Sequence, residues 1–309
     1  MLKRKAFKKI IISLSCLAVF GILYLFPDKN HDINNNVIKS NNENNIIYLI
    51  DNNNYISRVS TVLTSKSLED NIREIINILT IGSNAYVRDG FKKIIPKNTV
   101  VLDLSIHDNL VKLNFSKELL NVDKKNEQKM IESIVYSLTS LEDIKYVSIY
   151  VEGNILNKLP NSNIKLNTVL DRSIGINKEF NINNIYNTTK TTIYYLSKYK
   201  DYYYYVPITK VYNNNISKIE VIIKELSSSK LLNTNLISYL NNNTELLSYN
   251  ETDKTLLLNF NENILEDINT NNILEEVTYS INLSIKDNYD VDEVLYYVND
   301  KVVSTFSLK

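Results

Sequence analysis

The sequence has one cysteine, no tryptophan, two histidines, five glycines and four prolines in 309 residues. The lone Cys16 excludes a disulfide framework within the chain and a C-x-x-C zinc site. With histidines only at His31 and His107, it also excludes a Cys–His nucleophile pair in the folded part. Lys plus Arg equals Asp plus Glu at 35 each, so the strongly basic face that nucleic acid calls for is missing. Asn, Ile, Lys and Tyr are abundant instead. All four have AT-rich codons, so genome bias explains runs such as "DINNNV" without a prion-like reading. Hydrophobic residues make up 44%, enough for ordinary cores, and the length suggests two domains.

Residues 1–9, "MLKRKAFKK", carry five basic side chains, and residues 10–26, "IIISLSCLAVFGILYLF", carry no charge. As a helix the uncharged run would span about 25 Å, close to a hydrocarbon core of about 30 Å. The positive cluster predicts a cytoplasmic amino end and an extracytoplasmic remainder. No A-x-A-like cleavage site follows. Ser13, Leu14 and Ser15 before Cys16 match a lipoprotein signal poorly. The reading is an uncleaved single-pass anchor, with a lipoprotein held at Cys16 or a cleaved signal as alternatives. Residues 27–45 are polar and read as a flexible tether, in which His31 has no assigned task.

Internal similarity organises the rest. "NTVVLDLSIHDNLVKLNF", Asn98 to Phe115, aligns without gaps with "NTELLSYNETDKTLLLNF", Asn243 to Phe260. "IYLI" from Ile47 matches "IYYL" from Ile193, and "IESIVYSL" from Ile131 matches "LEEVTYSI" from Leu274. Constant order at nearly constant spacing predicts a duplicated domain over 46–156 and 190–309, bridged by 157–189, part of which packs on the first copy.

Each copy reads as strand, strand, helix, hairpin, helix, strand. Leu68, Ile72, Ile75, Ile76 and Leu79 form one apolar stripe, with Ser67 and Asp70 as a capping pair. Ile216, Ile219, Ile222, Ile223 and Leu226 repeat it. Val111, Leu113 and Phe115 alternate with Lys112 and Asn114, as do Leu256, Leu258 and Phe260 in the second copy, so one strand face is buried. The fold class is α+β: two tandem units, each a small mixed sheet with two helices on one face, preceded by a transmembrane helix.

"LVKLNFSKELL" from Leu110, followed by "IESIVYSLTSLEDIKYVSIYVEG" from Ile131, resembles the GerMN-domain family. The similarity covers most of residues 46 to 309. Val298, Asn299 and Asp300 depart from the Val151–Glu152–Gly153 pattern, and the second helix-to-strand link reads about four residues longer. The resemblance implies an envelope protein of a spore-forming Gram-positive bacterium, acting in sporulation or germination as a scaffold or channel-complex component. Other envelope proteins would be its partners, with self-association as a further option.

Chemistry finds little footing. Glu118 and Glu132 flank a loop, but nothing in the sequence fixes the spacing a catalytic carboxylate pair needs. His107 sits in a hairpin turn, where polar residues are expected. Val151 to Asn154 is a turn, not a phosphate cradle. No catalytic, cofactor or metal residue is assigned. In Tyr202 to Tyr205, alternation predicts two outward rings. These could serve an interface or, as the alternative function, a peptidoglycan-binding module through rings such as Tyr203.

Overall fold

The structure, a computed structural model, describes residues 45–184, 186–213, 216–228, 234–267 and 271–308. The basic segment, the expected anchor and nearly all of the tether lie outside the described residues. Among the described residues no helix is long and apolar enough to cross a membrane.

Repeat one begins with an antiparallel hairpin, β1 (Asn45–Asp51) and β2 (Ile56–Thr61), then α1 (Leu68–Leu79) and the short β3 (Phe91–Lys92). A second hairpin, β4 (Val101–His107) and β5 (Leu110–Phe115), leads to α2 (Lys124–Leu138). Strand β6 (Tyr146–Val151) then lies parallel to β5, with β7 (Asn154–Ile155) beside it. Strand β8 (Glu179–Asn181) lies in the connection. Repeat two repeats the order: β9 (Thr189–Tyr199), β10 (Tyr202–Tyr212), α3 (Lys218–Leu226), β11 (Leu246–Thr252), β12 (Thr255–Phe260), α4 (Glu275–Asn288), β13 (Glu293–Val298) and β14 (Lys301–Ser307).

The fold is the mixed α+β architecture expected, with one refinement. The strands of each repeat divide between two sheets. The second hairpins build four-stranded sheets ordered β4-β5-β6-β7 and β11-β12-β13-β14, while the first hairpins of both repeats join in one six-stranded sheet through β2 and β10. Two sheets per repeat also change the helix environment. Every residue of α2 from Met130 to Leu138 is buried, where a helix on one face of a single sheet would expose a side.

That burial explains the serines in α2. Strand β1 has only two paired residues, Ile50 and Asp51, on the side away from β2, so most of that edge would leave backbone groups unmet. The Tyr48 amide donates to Ser137 Oγ at 2.8 Å, and the Ser133 hydroxyl donates to the Tyr48 carbonyl. In repeat two the Tyr194 amide donates to Ser284 Oγ at 2.9 Å, and the Asn288 side chain bonds Thr192 on both sides. A helix presenting short polar side chains thus does what a further strand would do. Tyr48 corresponds to Tyr194 and Ser137 to Ser284, so the gapless match of "IESIVYSL" to "LEEVTYSI" is one helical turn out. The longer second link is likewise absent. Repeat two extends its helix to Asn288, and its link, 289–292, is shorter than 139–145.

The repeated "LNF" is a hydrogen-bonding phrase. Phe115 and Phe260 are fully buried. The preceding asparagine, Asn114 or Asn259, accepts through Oδ1 from the backbone amide of Gly153 at 2.8 Å or Asp300 at 3.1 Å. The residue after phenylalanine ties down the start of the neighbouring strand: Ser116 Oγ accepts from the Val100 amide, and Asn261 Oδ1 from the Glu245 amide. The departure from Val-Glu-Gly to Val-Asn-Asp therefore keeps the turn. Glu152 and Gly153 have φ of 48° and 78°, Asn299 and Asp300 of 48° and 65°, the left-handed pair a two-residue hairpin turn requires.

The first helix follows its predicted cap, and α3 carries an unpredicted one. Ser67 Oγ accepts from the Asp70 amide, and Ser217 with Glu220 forms a capping box. Ile72, Ile75 and Leu79, then Ile219 and Ile222, are fully buried, each contributing roughly 1.5–3 kcal/mol relative to exposure.

Candidate functional site

The most heavily built polar site lies on the seam between the repeats. The aligned tyrosines of "IYLI" and "IYYL" meet there, with the Tyr48 and Tyr194 hydroxyls 2.9 Å apart. Tyr194 donates onward to Asp287 Oδ2 at 2.8 Å. Asp287 also pairs with Arg172, which comes from the connection between the repeats. The Arg172 guanidinium sits 4.9 Å from the Tyr136 ring centre and bonds the Thr139 and Ser140 hydroxyls and the Tyr136 carbonyl. Tyr136 returns its hydroxyl to the Arg172 carbonyl at 3.0 Å.

The electrostatics follow from burial. Desolvation is the largest influence on Arg172 and opposes its charge, but the adjacent Asp287 carboxylate and the Tyr48, Tyr194 and Tyr136 phenols together outweigh it and hold the guanidinium protonated. Desolvation, reinforced by Asp287, pushes the Tyr136 and Tyr194 phenols well above their usual range, so both remain neutral donors. Together these bonds tie the two repeats to each other and to the connection.

Two further clasps hold the same seam. Asn177, left-handed at φ 46°, accepts from the Ile56 amide at 2.9 Å and donates to the Ile56 and Pro207 carbonyls. Pro207 has no N–H to give β2, so the Asn177 amide bridges where the β2–β10 ladder stops at its one register pair, Arg58 with Tyr205. Lys178 pairs with buried Glu132, which also accepts from the Asn177 amide at 3.0 Å. The connection packs on repeat one as well. Leu159 and Leu170 are buried, Leu170 pairs with Val147, and Glu127 accepts the Asn161 and Ser162 amides at 2.8 and 2.6 Å.

The sequence candidates fall as follows. Glu118 stands half-exposed on a 3-10 turn, its carboxyl lowered chiefly by the Ser116 hydroxyl, while Glu132 is buried against Lys178. The two carboxylates have different partners and form no pair. His107 is exposed at the end of β4. Among the described residues no group of three or more His, Cys, Asp or Glu side chains could hold a metal ion. Val151 to Asn154 is the turn closing β6 onto β7.

The expectation of two outward tyrosines is corrected. Tyr202, Tyr204 and Tyr205 are all buried, because a second layer covers both faces of β10. Arg88 lies 3.8 Å over the Tyr202 ring, Tyr204 donates to Asp51 at 3.0 Å, and Tyr205 stacks on Tyr279. Only Tyr203 is half-exposed, beside Tyr239 and under Lys198. What the sequence reading missed was the seam itself. Its one signal was the pairing of aligned tyrosines with an arginine in the connection.

Outside the seam the repeats present different surfaces. Repeat one has a groove of about 750 Å³ between its first hairpin and α1. Both repeats leave the edge strand of the second hairpin exposed, β4 with Leu102 and β11 with Leu247 and Tyr249, and repeat two adds Val302 on β14.

Duplicated helix-backed sheets fused through a buried polar seam define a tandem-domain protein. The model of the family described as "Germane: Sporulation and spore germination" matches residues 46–157 and 192–304, and the chain belongs to that family. It is 30% identical over 263 residues to "Spore germination protein GerM" of Bacillus subtilis (strain 168), across 82% of this chain and 71% of that protein. The structure of the tandem GerMN domains of the sporulation protein GerM from Bacillus subtilis superposes with a TM-score of 0.75 at 29% identity, covering 84% of this chain and 92% of that one.

Proposed function

We propose that this chain is a non-catalytic envelope protein of sporulation or spore germination that works through protein contacts, as a scaffold or a component of a channel complex. Residues 10–26 anchor it in the membrane as a single span, residues 1–9 stay in the cytoplasm, and the repeats stand on the other side. Lipid attachment at Cys16 is the alternative anchor.

The observation that carries this reading is the seam. Arg172, Asp287 and the three tyrosines spend a buried ion pair on holding two domains in fixed register, which suits a part that presents surfaces. The family contributes the process. Deleting the chain should lower the yield of heat-resistant or germination-competent spores, and it should co-purify with other envelope proteins after crosslinking in sporulating cells. Recovery of the chain alone, with normal spores from the deletion strain, would count against the proposal. Replacing Cys16 with serine separates the anchors: the span predicts unchanged membrane retention, and lipid attachment predicts release.

A further inference from the structure

The groove in repeat one has a filled counterpart in repeat two. Ile47 pairs with Val59 as Ile193 pairs with Ile208, which sets Leu49 against Tyr195 and Thr61 against Lys210. The helix stripes set Ile78 against Glu225. In repeat two, β8 lies parallel along β10, with Glu179 beside Lys210 and Phe180 beside Val211. Lys210 bonds Glu179 at 2.6 Å and Glu225 at 3.2 Å, tying β8 to both β10 and α3. The buried Tyr195 ring fills the space beneath and reaches Glu225.

In repeat one the smaller Leu49 and Thr61 and the uncharged Ile78 stand at those positions and line the groove with Ile47, Val62 and Tyr86. Val62 is 69% exposed and Tyr86 83% exposed. Among the described residues no strand pairs with β2 beyond Arg58 on the side away from β1. The charged residues of the lining are engaged already: Glu74 accepts from Thr64, and Arg88 covers Tyr202. A strand such as β8, with its acid, would find no Lys210 here.

We propose that this groove is a docking site for an extended segment of a partner protein. The segment adds in parallel to the open edge of β2, as β8 adds to β10, and carries apolar side chains at the alternate positions facing α1. The backbone ladder supplies affinity and the apolar slot supplies selectivity. This rests on the reading of the chain as a contact protein.

The test places photoreactive p-benzoylphenylalanine at Tyr86 of the full chain in sporulating cells, with Phe180 and Leu247 as comparison positions. The expected result is an adduct from Tyr86 whose crosslinked partner peptide has apolar residues at every second position. It should fall about tenfold when repeat two's charges are imported by Thr61→Lys with Ile78→Glu. Because Ile78 is buried, Val62→Pro, at an exposed position past β2, serves as the second variant and should cut the adduct equally. An adduct mapping to a second copy or to this chain's own residues would overturn the proposal. So would a yield unchanged by Val62→Pro, or no greater than that from Phe180. Adducts from Leu247 with none from Tyr86 would sink the groove and leave the contact-protein reading standing. Adducts from no position would sink both.

Discussion

The two repeats solve their interiors alike and their edges differently. In both, a helix serine holds the amide of the equivalent tyrosine, at 2.8 Å in repeat one and 2.9 Å in repeat two. In both, the asparagine of "LNF" closes the same left-handed turn. The edges diverge. Repeat one's second sheet is completed by the connection, through β7 and the Leu170 bridge, while repeat two's is completed by β14. The groove beside the first hairpin is filled in repeat two and open in repeat one. A duplicated core can keep its hydrogen-bonding geometry while its edges serve whatever the chain does next, so contacts with other molecules are best sought where the copies disagree.

The largest expected effect falls where the copies meet. Asp287→Ala removes the carboxylate partner of Arg172, whose side chain is only a quarter exposed, and should cost about 3 kcal/mol in denaturant unfolding, the low end for a buried pair. Arg172→Met with Asp287→Leu removes both charges and should recover much of that loss. If Asp287→Ala instead changed stability by less than about 1 kcal/mol, the seam would not be what couples the repeats. Next come the paired serines. Ser137→Ala and Ser284→Ala each leave one buried strand amide without its acceptor, and each should cost about 1–3 kcal/mol. A large difference between the two costs would mean the helices are less equivalent than their bonds suggest.

Much of this was legible in the sequence. The duplication, the alternation of Val111, Leu113 and Phe115, and the cap at Ser67 all depend on local patterns. The helix register was not. A shift of four residues returns an apolar stripe to nearly the same face, so "IESIVYSL" matches "LEEVTYSI" as readily as the true turn does. Buried serines on that helix look like solvent-facing positions until a bare strand edge is placed beside them. The tyrosine run misled because period-two alternation assumes one wet face, whereas β10 is covered on both. The seam needs Arg172, Tyr48 and Asp287 brought together from distant parts of the chain, which no local pattern reports.

A third comparison concerns acid. Glu127 is fully buried in repeat one, and Leu274 stands at its place before α4. Desolvation would raise its carboxyl, but the Asn161 and Ser162 amides outweigh that and hold it below its usual range. Its native proton affinity is thus lower than in the unfolded chain. Its stabilisation is present above the usual carboxylate range, about pH 4.3, and fades as pH falls through the lowered native value. Glu127→Gln can meet only one of the two amides and should cost about 1–3 kcal/mol at neutral pH, with the gap closing on acidification. Amide exchange should place this acid sensitivity in repeat one; equal loss in both repeats would argue against it.

The smallest effect lies in the turn that departs from the family pattern. Gly153 has φ 78°, and no atom lies within 4 Å of where its Cβ would stand. Any cost of replacing it is therefore conformational and not steric crowding. Gly153→Asp imports repeat two's residue, a short polar side chain that tolerates the left-handed region, and should cost no more than about 1 kcal/mol. Gly153→Val lacks that tolerance and should cost about 1–2 kcal/mol. The order of the two, read from thermal unfolding, decides the point. If aspartate proved as costly as valine, Asp300 would be holding its turn through its bond with Asn259 and not through backbone preference.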